Sequence, residues 1–193
     1  MKLIKHLQLI IFTIVILSGI LIKYQQPIFH QYNKIFNPVY ASEIDRFGYE
    51  LNNTNEQWEL INKEIESRKV DNEKVKKVRD FLKSRNSPLA VEAEYLVATA
   101  DHFNIDYRLV AAISIIESSG GKHNYRPYNA WGWGGQGRAF VFKNFKEGIY
   151  TVSRGLSRYY AGGADTPREI GKRYNPESWQ EWSRKVDLVM KQM

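Results

Sequence analysis

The stretch Leu109-Val110-Ala111-Ala112-Ile113-Ser114-Ile115-Ile116-Glu117-Ser118-Ser119-Gly120-Gly121 decides how this chain folds. Leu109, Val110, Ile113 and Ile116 recur at helical spacing, and Glu117 falls on or beside the face that such a helix buries. The segment reads as an apolar helix that ends on one carboxylate and breaks into a turn of small residues. Burial and the negative end of the helix dipole both disfavour an ionised carboxyl. A carboxyl kept protonated near neutral pH is what cleavage of a glycosidic bond requires of its proton donor. A glutamate at a helix end whose side chain simply reaches water fits the same residues.

The next segment, Tyr125-Arg126-Pro127-Tyr128-Asn129-Ala130-Trp131-Gly132-Trp133-Gly134-Gly135, places four aromatics within nine residues of a glycine-rich loop. Aromatic rings offer flat apolar faces on which sugar rings stack, and Asn129 can both donate to and accept from sugar hydroxyls. Trp131 and Trp133 can equally serve as core anchors of a small domain. The expected division puts Trp133 toward the ligand and Trp131 beneath Glu117.

Together these segments resemble a known family. Ile116-Glu117-Ser118-Ser119-Gly120-Gly121 followed by Asn129-Ala130-Trp131-Gly132-Trp133-Gly134 is similar to the E-S-x-x-G … N-x-[FW]-G-[IW] pattern of bacterial glucosaminidase-type peptidoglycan hydrolases, relatives of the lytic transglycosylases in the lysozyme-like superfamily. Phe145-Lys146-Glu147-Gly148-Ile149, the helix through Leu156-Ser157-Arg158-Tyr159-Tyr160, and Thr166-Pro167-Arg168-Glu169-Ile170-Gly171-Lys172-Arg173-Tyr174 resemble its downstream elements in order. The resemblance spans Ser87 to Met193. It implies a mainly α, lysozyme-like helical domain with a substrate cleft. It also implies that Glu117 is the general acid, and that Ser118, Tyr128, Asn129, Trp131, Trp133 and Tyr174 line the substrate site. The substrate would be the β-1,4-linked glycan strands of peptidoglycan, cut without a cofactor. The Gly-Leu-Met-Gln run typical of the transglycosylase branch is absent, which leaves open whether water or the sugar's own hydroxyl completes the reaction. A wall-binding module that keeps the cleft without turnover is a third reading.

Composition frames these expectations. The 193 residues suit one domain of ordinary size with a targeting or linker segment. The absence of cysteine excludes disulfides, thiol nucleophiles and cysteine-based zinc sites. A formal charge of +7 favours anionic polymers or membrane surfaces. Nucleic acid is not the expected partner, because basic residues are scattered among acidic ones and no nucleic-acid motif is present. His123 lies near the turn, but the chain has four histidines and no H-E-x-x-H pair, so no metal site is expected. Nothing in the sequence signals an oligomeric state.

Met1-Lys2-Leu3-Ile4-Lys5 is basic, and Leu7 to Ile22 is a nearly unbroken apolar run of 16 residues. Residues 1–23 are therefore expected to be a retained single-pass membrane anchor with the remainder outside the cytoplasm. The alternative is secretion after cleavage near Val39-Tyr40-Ala41. Residues 24–86 read as a linker containing one charged helix from Trp58 to Arg85, which fits a spacer or a docked stalk, and residues 87–193 as the catalytic domain, starting at the helix-initiating Ser87-Pro88.

Within 87–193 the reading is nearly all helical. It comprises Pro88–Phe103, a helix capped by Asp106 and ending at Glu117, a short extended piece at Ala139–Phe142, then Lys146–Tyr160, Pro167–Tyr174 and Pro176–Met193. No strong second carboxylate stands out. Glu147, Asp165 and Glu169 all sit where helix starts attract acids, so the positive sugar intermediate is expected to be stabilised by the substrate's N-acetyl group or by a distant acid.

Overall fold

The computed structural model describes residues 55–135 and 139–193, of which Glu56–Met193 form one compact unit. The expected anchor at 1–23 and the alternative cleavage site fall outside the described residues. Among the described residues, no helix is long and apolar enough to cross a membrane.

The unit is mainly α, as the periodicity predicts. Its helices are α1 (Asn55–Glu66), α2 (Asn72–Lys83), α3 (Ala93–Phe103), α4 (Leu109–Ser118), α5 (Phe145–Ala161), α6 (Pro167–Tyr174) and α7 (Trp179–Met190). No strand forms among the described residues. Ala139–Phe142, expected to be extended, attaches to the aromatic loop through Phe140 N–H to Trp133 O (2.9 Å) and Phe142 N–H to Pro127 O (3.1 Å) without entering a sheet.

Helix α4 is the centre of the fold. Leu109, Val110, Ala111, Ala112, Ile113 and Ser114 are all buried, so the helix is surrounded rather than apolar on one side. It ends in a turn where Ser119 is left-handed and Gly120 N–H returns to Ser114 O (2.9 Å). Gly120 and Gly121 continue at φ +75° and +86°, a run of positive φ that glycine tolerates.

Two expectations are corrected. The single helix from Trp58 to Arg85 is two helices, broken because Asp71 accepts hydrogen bonds from Glu73 N–H (2.8 Å) and Lys74 N–H (3.4 Å) and so starts a new one. Of the spacer and the docked stalk, these helices are the docked arrangement, and the compact unit does not begin after residue 86 but reaches back to Glu56. Ile65, Val75, Val78, Phe81 and Leu82 are buried in the same core as α4, and α2 packs on α3 and on the turn that precedes it. Their thin apolar stripe is what the core needs from helices covered on one side only.

The stretch Pro88–Phe103, expected to be one helix, opens as a 3-10 turn over Pro88–Glu92 before α3 begins. Ser87 accepts from Leu89 N–H (3.2 Å), as the sequence predicts, and its hydroxyl also donates to Gly120 O (2.6 Å). The start of this segment is thereby tied to the turn that follows Glu117.

Candidate active site

Glu117 sits in the last turn of α4, where its backbone is fixed by the buried helix and its side chain leaves the core toward solvent. Its Oε1 accepts a hydrogen bond from the indole Nε1–H of Trp182 at 2.7 Å. Its Oε2 lies beside Gly132, where an added Cβ would come within 3.4 Å of that oxygen. The residue is exposed, which corrects its expected place on or beside the buried face of the helix; only the carboxyl is partly shielded, by Trp182 and the Gly132 backbone. Desolvation raises its pKa above the ordinary glutamate value, and the Trp182 bond, which favours the ionised form, offsets part of that rise. Solvent access bounds the size of the shift. Its direction is that of a proton donor.

Trp182 was readable in the sequence only as an inward-facing residue of the last helix. It is indeed buried, but a buried indole N–H needs an acceptor, and here the acceptor is the one carboxylate at the end of α4. Tyr174, at the end of α6, stacks on Trp182 with ring centroids 4.9 Å apart and lies 5.7 Å from Trp133. Its hydroxyl donates to Trp131 O at 2.5 Å. The end of α6, the start of α7 and the aromatic loop thus meet beside Glu117.

The other expected site residues divide into exposed surfaces and buried struts. Asn129 is buried and its amide is fully occupied by the loop itself. Oδ1 accepts from Trp133 N–H (3.0 Å) and Trp131 N–H (3.3 Å), while Nδ2 donates to Trp133 O and Phe140 O, both at 2.9 Å. Ser118 is buried too. Its hydroxyl donates to Ala130 O (2.7 Å) and accepts from Gly121 N–H (2.9 Å), which joins the end of α4 to the loop. Neither is placed to touch a sugar, so direct substrate contact is corrected to a scaffolding position for both.

Trp131 is fully buried. Its Nε1–H donates to Val110 O in the first turn of α4 (2.9 Å), and its ring lies so close to Gly148 of α5 that a Cβ there would come within 2.5 Å. It is a core anchor of the helix that carries Glu117, the place the expected division gave it, and its buried ring offers no open face to a sugar. Trp133 is half-buried, its ring seated against Gly155 one heptad further along α5. Tyr128 is exposed, left-handed at φ +55°, and meets Phe145 edge-on at 5.2 Å. Ser87, Gly148, Gly155 and Trp182 are the residues that sequence reasoning did not connect to the site.

The acids considered as a second carboxylate have local roles. Glu147 Oε2 accepts from Lys143 N–H (2.5 Å) while its own N–H donates to Asn144 Oδ1 (2.9 Å), a reciprocal cap on α5. Glu169 is paired with Lys172 at 2.8 Å. Asp165 is exposed ahead of α6. Among the described residues, no second acid contributes to the titration of Glu117, and no cluster of three His, Asp or Glu could hold a metal ion.

No protein-family model and no curated protein matches this chain.

Proposed function

We propose that the chain is a cell-wall glycosidase of lysozyme-like type that cuts β-1,4 bonds in peptidoglycan glycan strands, with Glu117 as the general acid. One observation carries this reading. A single carboxyl at the end of a buried helix, raised in pKa by crowding, is held by an indole N–H next to half-buried and stacked aromatic rings. The arrangement supports proton donation to a leaving glycosidic oxygen. The buried helix fixes where the acid is, Trp182 fixes which oxygen is occupied, and Oε2 beside Gly132 is left to carry the proton. Trp133 and Tyr174 supply aromatic surface beside it for a sugar ring.

The isolated carboxyl also favours a particular second step. Hydrolysis through two protein carboxylates needs the second at a defined separation from the first. With no second acid acting on Glu117 among the described residues, the cation left after bond cleavage is better served by a group of the substrate itself. That group is either the N-acetyl oxygen, with water completing hydrolysis, or a sugar hydroxyl that closes an anhydro ring as in lytic transglycosylases. The proposed location is the outer face of a membrane that residues 1–23 anchor.

Mass spectrometry of fragments released from purified peptidoglycan tests this. Reducing ends mean hydrolysis, anhydro ends mean transglycosylation, and the absence of fragments contradicts the enzymatic reading in favour of a binding module.

A further inference from the structure

Charge in the described unit is divided along the chain. Residues 55–121 carry ten Lys/Arg against twelve Asp/Glu, whereas residues 122–193 carry thirteen against six. The second stretch includes the aromatic loop, α6 and α7, the elements that close on Glu117.

Within it, one arrangement combines both chemistries that an acidic polysaccharide presents. Arg168 and Lys172 lie one turn apart on α6, and both stand over the ring of Trp179 on α7, at 5.7 Å and 5.6 Å from its centroid. Trp179 is half-buried while both cations are exposed, so their charges face solvent across an indole. Trp179 is one helical turn before Trp182, whose N–H holds Glu117. Gly171 lets α6 lie close against α7, since an added Cβ there would collide with Ser183 Oγ and come 3.1 Å from the Trp182 ring and 3.2 Å from Trp179 O. Of the acids on these helices, Glu181 pairs away from the seam with Lys185 at 2.6 Å, while Glu169 pairs with Lys172 at 2.8 Å and so takes part of that cation's charge. Arg168 is therefore the leading cation, with Lys172 shared.

We infer that the α6–α7 seam formed by Arg168, Lys172 and Trp179 is a subsite for a carboxylate-bearing, peptide-substituted unit of the glycan strand, adjoining the Glu117 site. The inference rests on the proposed substrate, and it adds a reason for the enzyme to prefer an acidic glycan over a neutral one of the same linkage. The cations meet the carboxylate, and the exposed part of the indole meets the neighbouring sugar ring.

The test measures binding rather than turnover, so it stands apart from the catalytic reading. The full chain carrying Glu117→Gln is sedimented with purified sacculi, with sacculi whose carboxylates have been amidated, and with chitin particles. Arg168→Gln with Lys172→Gln should weaken binding to untreated sacculi by about fivefold at low salt, the scale of two exposed charge contacts. Binding to amidated sacculi and to chitin should be unchanged, as should melting temperature. Lys76→Gln with Lys77→Gln on α2, which removes the same charge elsewhere, should leave sacculus binding intact. Three results overturn the subsite: equal affinity of parent and double variant for untreated sacculi, an equal loss on chitin, or no measurable sacculus binding by the parent. Fragment release by the unsubstituted chain judges the catalytic reading separately.

Discussion

Glu117 and Trp182 show how a single contact sets a pH dependence. The indole N–H bonds the charged form of the carboxyl and so holds its pKa below what crowding alone would give. Trp182→Phe removes that donor and should raise the Glu117 pKa further, since only desolvation would then act on the carboxyl. A general acid works protonated, so its activity falls as pH rises through its pKa. The alkaline limb of the kcat/KM profile should therefore move to higher pH in Trp182→Phe. A limb that stays in place, or moves toward acid, would show that the bond does not control the proton. The sequence pointed to Glu117 because an acid closing an apolar helix stands out. It pointed to Asn129 and Ser118 for the wrong reason, since their polar groups are spent on the loop's own backbone. A side-chain amide in a glycine-rich loop reads the same whether it faces a sugar or a peptide group.

At the scale of elements, α5 is the seat on which the aromatic loop rests. Gly148 and Gly155, seven residues apart and so on one face, admit the rings of Trp131 and Trp133 to within contact of the helix backbone. In Gly148→Ala the new methyl meets the fully buried ring of Trp131 at 2.5 Å, with Phe142 and Tyr128 O each at 3.0 Å. The expected cost is about 1–3 kcal/mol of stability, the usual scale of overpacking, despite the gain in helix propensity. Thermal or denaturant unfolding measures it, and a variant as stable as the parent would mean that Trp131 is not packed as described. This pairing of glycines with tryptophans was invisible from sequence, where each glycine in a helix reads as an isolated defect. By contrast, α6 was legible to the residue, because Thr166 and Pro167 announce its start and Thr166 caps it by accepting from Glu169 N–H at 3.3 Å.

At the scale of the whole molecule, the unit begins at Glu56, well before the Ser87 that the motifs suggest. The motif-bearing part starts at Ser87, yet Ile65, Val75, Val78, Phe81 and Leu82 of α1 and α2 complete the core. Each such side chain contributes about 1.5–3 kcal/mol when buried, so losing five approaches the whole stability of a domain, about 5–15 kcal/mol. A chain cut to start at Ser87 should fail to melt cooperatively, while one starting at Glu56 should unfold in a single transition. Equal behaviour of the two would contradict the shared core. The boundary was hard to read because helices packed on one side carry charge on the other, which is also how a solvated spacer looks. The central claim, that this fold delivers one proton from Glu117 to a glycan, is tested most directly on the full chain. Soluble fragments released from purified sacculi are measured for the parent and for Glu117→Gln, which keeps the shape of the side chain and loses the proton. Release should fall on the order of a hundredfold or more with the melting temperature preserved; equal release by the two proteins would contradict the claim.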